Sequence, residues 1–306
     1  MLDPTELYEL APDPPSLTRP VLIQALTGFV DAGGGTRLAR EHLLETREHR
    51  LVATFDADQL LDYRSRRPAM LFVEDHWETY ADPAISVHQV TDAAGTEFLL
   101  LAGPEPDLQW ERFVAAVRTV ADGLDVGLTV GLNAIPMAVP HSRPVGITAH
   151  ASRPDLVAGY QPWIHTVQVP ASAGHLLEYR RGQAGQDAMG FAAHVPHYLA
   201  QADYPDAAAE LLDAVAKATG LVLPTEELRT AAARTRTEID EQVVQSEDVL
   251  AIVQGLERQY DAFVANRGAN RPLADGEESL PTADELGAEL ERFLAERARH
   301  ADPPDG

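Results

Sequence analysis

The residues of this chain that could do chemistry are histidines, carboxylates and arginines set beside short apolar runs. GFAAHVPHYL (190–199) places His194 and His197 three apart around Pro196. Such rings can bind a metal or move a proton. A metal pair on one helical face would instead stand four apart. Proline suits the first position of a helix, where its missing N–H costs nothing. The stretch reads as a strand-to-helix junction, with His194 at the strand end in a cleft wall and His197 in the first helical turn. A catalytic histidine is the alternative.

PHSRPVGITAH (140–150) adds His141, Arg143 and His150. Ser142 lacks the G-x-S-x-G elbow of a serine hydrolase. His141, His150, His194 and His197 could assemble a metal site, although no H-E-x-x-H helix is present. FDADQLLDYRSRRP (55–68) mixes aspartates with arginines. Asp56 and Asp58 could hold a divalent cation, and Arg64, Arg66 and Arg67 an anion. Pairing among these charges is the plainer reading. GFVDAGGG (28–35) is the most phosphate-like stretch, but it fits neither the Walker loop nor G-x-G-x-x-G. There Asp31 reads as a helix cap.

The elements that must position these groups alternate. Apolar strand runs are expected at VLIQALTGF, RLVATFD, AMLFVE, ISVHQVT, TEFLLLAG, GLTVGLNA, VGITAHA, HTVQVPA and DAMGFAAHV. DAAG joins the fourth to the fifth as a hairpin. Helices are expected at DAGGGTRLAREHLLE, LQWERFVAAVRTVADGL, SAGHLLEYRRGQ and DAAAELLDAVAKATG. Strands alternating with helices predict an α/β fold around a mostly parallel sheet. Polar residues then gather at the strand ends: Asp31, Asp56, Asp58, Glu105, Asn133, His150, Ser172 and His194. If the strands run parallel, these share the edge where open α/β sheets bind ligands.

From about residue 224 no strand signal remains. Ile239, Val243, Leu250, Val253, Leu256, Tyr260 and Phe263 form the stripe of one long amphipathic helix. It must bury that stripe on the main domain or on another copy. A turn-rich segment follows, then a last helix over 282–300, where Thr282 and Glu285 form a capping box. The expected domains are an α/β core over 1–223, a helical extension over 224–300 and a disordered tail over 301–306.

Composition narrows the function. The 306 residues carry 24 basic and 48 acidic side chains, a net charge of −24, and Lys217 is the single lysine. No basic stripe is available for nucleic acid or for an anionic membrane surface. Cysteine is absent, which excludes disulfides, thiolate metal sites and thiol nucleophiles. The start, MLDPTELYEL, lacks the pattern of a signal peptide, and the apolar runs are too short to span a bilayer. The expected location is the cytoplasm. No cofactor is expected.

GFVDAGGGTRLA, FDADQLLDYRSRRP, LLLAGPEPDLQWERF, GLNAIPMAVPHSRPVGITAHA and GFAAHVPHYLAQADYPDAAAELL occur in this order. The ordered set resembles the actinobacterial branch of the proteasome assembly chaperone 2 family, over roughly residues 18–220 and on into the helices. The resemblance implies a three-layer αβα sandwich similar to nucleoside phosphorylases and peptidyl hydrolases. It implies an ATP-independent protein-binding role, proteasome α subunits as partners and a homo-oligomer, trimer or dimer. It supplies no catalytic residues. The end, DPPDG, departs from the hydrophobic–tyrosine–any tail of some archaeal members, which puts tail-mediated docking in doubt. The alternative is a phosphorylase- or hydrolase-like enzyme with a small ligand at the strand ends, in a cleft of Asp31, Asp58, Arg64, Arg66, His150 and His194.

Overall fold

A computed structural model describes residues 2–28, 30–163 and 166–267. Eight strands form one sheet: β1 (Tyr8–Leu10), β2 (Val21–Thr27), β3 (His49–Phe55), β6 (Ile85–Thr91), β7 (Glu97–Pro104), β8 (Leu128–Met137), β9 (Ile147–Ala151) and β10 (Ala188–Pro196). Their order is β1-β3-β6-β7-β2-β8-β10-β9. The four central strands, β7, β2, β8 and β10, pair in parallel. The flanking pairs are antiparallel. The parallel character expected from the sequence therefore belongs to the centre of a mixed sheet.

Helices cover both faces. α1 (Gly35–Thr46) and α5 (Pro205–Thr219) pack with Ile23, Leu100, Leu132 and Phe191 on one face. α3 (Trp110–Gly123) and α4 (Ala173–Gln183) pack with Leu22, Phe55, Leu99 and Leu101 on the other. Adjacent residues of β2 thus feed opposite cores, so the central strands need the continuous apolar runs that mark them in the sequence. Each buried Leu or Phe contributes about 1.5–3 kcal/mol. The result is a three-layer αβα sandwich.

Several expectations change. AMLFVE does form a strand, β4 (Met70–Val73), but it pairs only with β5 (His76–Tyr80) in a separate hairpin. That arm follows the short helix α2 (Ala57–Leu60). HTVQVPA suggested a strand by alternation, yet residues 166–171 form none, and Val167 and Val169 stay exposed. Pro196 ends β10 and precedes a 3-10 turn, His197–Leu199, rather than opening an α-helix.

The long C-terminal helix is two helices, α6 (Glu226–Val243) and α7 (Glu247–Arg267), broken at 244–246. Asp206 of α5 accepts both contacts from Arg236 of α6, at 2.9 and 3.0 Å. Ile239, Val243 and Val253 bury against Tyr198 and Leu199, so the stripe packs on this chain's own body. The expected last helix and tail lie outside the described residues.

Candidate functional site

β2, β7, β8 and β10 end along one edge, and α4 starts there. The tightest arrangement at this edge centres on Glu105, just past β7. Its side chain is 4% exposed, and Oε1 accepts from the Ala173 N–H at 2.5 Å. A carboxylate from one strand end thus caps the next helix, where free N–H groups favour negative charge. Gly28 makes room for it: a Cβ there would stand 2.0 Å from Glu105 Oε2. A cavity of about 40 Å³ lined by Gln24, Glu105, Asn133, Ser172 and His175 remains, which is room for little more than water.

Ser172 is the N-cap of α4 and accepts from the His175 N–H at 3.0 Å. That places the His175 ring beside Asn133, with Nε2 3.2 Å from Asn133 Nδ2. Burial, and then the neighbouring His150, push the His175 pKa below its ordinary value. His150 Nδ1 stands 2.9 Å from Glu178, and the two imidazole rings lie 5.7 Å apart. A pocket of about 450 Å³ opens onto His150, His175, Glu178 and Tyr179. The carboxylate holds His150 in one orientation, and two imidazoles face one pocket. This arrangement can bind a polar ligand and exchange protons with it.

His150 reaches the cluster by a different route from the one its sequence position suggests. β9 runs antiparallel to β10, with His150 opposite Gly190 near the start of β10. It therefore does not sit at the shared strand-end edge, and it meets Asn133 and Glu105 only through His175. Sequence reading missed His175, Glu178 and Gln24. The signal was present in SAGHLLE, where a serine cap is followed by His and Glu three apart on one helical face.

The other candidates go elsewhere. Asp31 accepts from the Thr36 and Arg37 N–H groups at 2.7 and 3.0 Å, so it caps α1. Gly33, at φ +64°, turns the chain there with its would-be Cβ 2.7 Å from Tyr204. Asp56 caps α2 through Gln59, and Asp58 accepts from the Tyr63 hydroxyl at 2.7 Å. Arg66 pairs with Asp107 at 2.6 Å, while Arg64 and Arg67 are exposed. His194 is fully buried, with Nε2 2.7 Å from Thr148 Oγ1 and its ring 4.7 Å from Trp163. His197 is half-buried, which lowers its pKa against a hydrogen bond with Met137. His141 contacts the Tyr198 hydroxyl at 2.7 Å and Asp240 at 3.1 Å. Arg143 forks Asp261 of α7 with two contacts of 2.8 Å. The four histidines of the candidate metal set thus have separate partners. Among the described residues no group of three or more His, Asp or Glu could hold a metal ion.

The arm is the other notable surface. Met70, Leu71, Phe72, Trp77 and Tyr80 are all about half exposed or more. Phe72 and Trp77 face each other across the hairpin with ring centres 5.0 Å apart. Glu74 and Asp75 form its tip, between β4 and β5. Among the described residues no helix is long and apolar enough to cross a membrane.

Comparison with known proteins gives the architecture a family. A Mycobacterium tuberculosis protein of unknown function is 49% identical, with a TM-score of 0.82; the match covers 95% of this chain and 96% of that one. A Corynebacterium glutamicum protein of unknown function is 35% identical with the same TM-score, over 87% of this chain and 99% of its own. A proteasome-assembly chaperone homologue from Mycobacterium tuberculosis is 25% identical, with a TM-score of 0.70, over 76% and 99%. Comparison with curated proteins found no match. The PAC2 family model matches residues 25–243, most of the chain, and the protein belongs to the PAC2 family.

Proposed function

We propose that this protein works by binding other proteins, as a chaperone-like factor that uses no ATP, in the cytoplasm, with proteasome α subunits as its partner. The observation that carries this reading is the β4–β5 arm. Burying large apolar side chains is the main favourable term in association, and exposed apolar patches mark interaction sites. A two-stranded hairpin gains little by itself from presenting Phe72 and Trp77 to water. The likeness to a proteasome-assembly chaperone homologue supplies the kind of partner. Membership of the family also supports a homo-oligomer, dimer or trimer. The test is light scattering on mixtures with purified proteasome α subunits. The wild-type chain forms a complex of fixed stoichiometry, and Phe72→Ser/Trp77→Ser does not. Equal binding by both would remove the arm from the account.

A second reading, a small-ligand enzyme, rests on one observation: the His150–Glu178 pair beside His175 on a 450 Å³ pocket. In that reading His150 is the proton-transfer group and Glu178 orients it. A small molecule retained by the native protein and lost in His150→Gln, with folding unchanged, would favour it.

A further inference from the structure

Helix α7 is an amphipathic helix seated in a groove that the rest of the chain forms. Val253, Leu256 and Phe263 are its buried residues, each near 5% exposed. Phe263 stacks on Trp163 with ring centres 4.8 Å apart, and Trp163 in turn meets His194. Val253 packs with Tyr198 and Leu199. The polar contacts concentrate on one loop. Ser142 donates to Glu257 at 2.5 Å, Arg143 contacts Glu257 at 3.3 Å and forks Asp261, and the Tyr260 hydroxyl donates to the Pro144 carbonyl at 3.1 Å.

Three features separate this helix from the other helices of the sandwich. The family match stops at residue 243, before α7 begins. The seat is incompletely filled: a hollow of about 500 Å³ lies beside it, lined by Val145, Gly146, Tyr160, Trp163 and Tyr260. The link to α6 is only residues 244–246, and the apolar stripe keeps helical spacing across it, from Val243 to Leu250. The sequence is thus compatible with a straightened α6–α7 in which the groove is empty.

We propose that this groove is a docking site for an acidic amphipathic helix of a partner protein, and that α7 fills it in cis until such a helix displaces it. The partner helix carries two carboxylates one turn apart to engage Arg143, as Glu257 and Asp261 do. It places an aromatic residue two positions after the second carboxylate to stack on Trp163. Arginine favours this recognition because its planar fork matches a carboxylate. An apolar helix face laid into an apolar groove is a recurrent mode of peptide recognition. The groove and the arm share no residue, so failure of either proposal leaves the other standing.

The test uses the full chain and a labelled peptide of residues 247–267. Glu257→Ala/Asp261→Ala loosens α7 but leaves Arg143 and Trp163 in place. By fluorescence anisotropy this variant binds the peptide at least about tenfold more tightly than the wild type, because the site is open for a larger fraction of the time. A peptide with Asp261→Arg and Phe263→Ala does not bind. Near-ultraviolet circular dichroism confirms that the variant is folded. As an independent check, Arg143→Glu loses the peptide and regains it when the peptide carries Glu257→Arg and Asp261→Arg. Equal affinity for wild type and loosened variant, or no binding to either, would overturn the proposal. Dimerisation of the loosened variant without peptide would also overturn it, making a second copy's α7 the occupant.

Discussion

Two aromatic pairs in this molecule have the same chemistry and opposite fates. Phe72 and Trp77 on the arm stand 5.0 Å apart, with Trp77 62% exposed. Phe263 and Trp163 under α7 stand 4.8 Å apart, with Trp163 4% exposed. The first pair sits on a two-stranded hairpin with nothing of its own chain over it. The second is covered by a helix that follows the family match. Ring contact is similar in both, so the difference lies in what surrounds the rings. One pair is part of the folded core's free energy, and the other is apolar surface left over after folding.

The largest effect should come from breaking the covered pair. Trp163→Ala removes the ring that both Phe263 and His194 contact, and a buried Trp→Ala change costs about 3–5 kcal/mol. Urea denaturation should show this as a lower midpoint with loss of α7 protection in hydrogen exchange. A loss below about 1 kcal/mol would mean that the seat closes over the gap.

Acid should also act on the covered side of the molecule. His175, His197 and His88 each have a pKa lowered first by burial. The unfolded chain then takes up protons before the folded one does, so stability is full above the ordinary value of 6.5 and falls as pH drops below it. Around His175 the opposing groups are Glu178 and Glu105, which favour its charged form, against His150, which disfavours it. Denaturation at pH 7.5 and 5.5 should show the wild type weaker at the lower pH. His175→Gln should narrow that difference, and an unchanged difference would place the acid sensitivity elsewhere.

A smaller effect is expected at the rim of the α7 seat. Arg143 and Asp261 are partly exposed, at 30% and 55%. Solvent screening keeps such a pair to about 0.2–1 kcal/mol. Arg143→Ala should therefore barely move the global melt while raising amide exchange along α7. The smallest stability effect is expected on the open pair. Trp77→Ala should change the melt by no more than about 0.5 kcal/mol, though it removes the largest exposed ring of the arm. A large destabilisation there would mean that the arm packs on its own body.

Sequence reading succeeded where burial is two-sided and failed where it depends on partners distant in the chain. The central strands announced themselves as continuous apolar runs, and the DAAG hairpin did form between β6 and β7, with Asp92 accepting from the Ala94 and Thr96 N–H groups. Val167 and Val169 alternate like a strand, but no neighbouring edge takes them up, and alternation alone cannot supply one. The stripe through Val243 and Leu250 has the period of one helix, and the period does not register the break at 244–246. Strand direction was also beyond reach. The antiparallel course of β9 sends His150 to α4 instead of the strand-end edge. His175 and Glu178 were readable from their spacing on α4, but only the tertiary fold brings Asn133 and His150 to them.

The most direct test of the account is native mass spectrometry of the full chain purified gently from its own cytoplasm, beside Phe72→Ser/Trp77→Ser with an unchanged melting temperature. The account predicts proteasome α subunits in fixed stoichiometry on the wild type and their absence from the variant. Identical partner masses on both, or a wild-type chain with no α subunit bound, would contradict it.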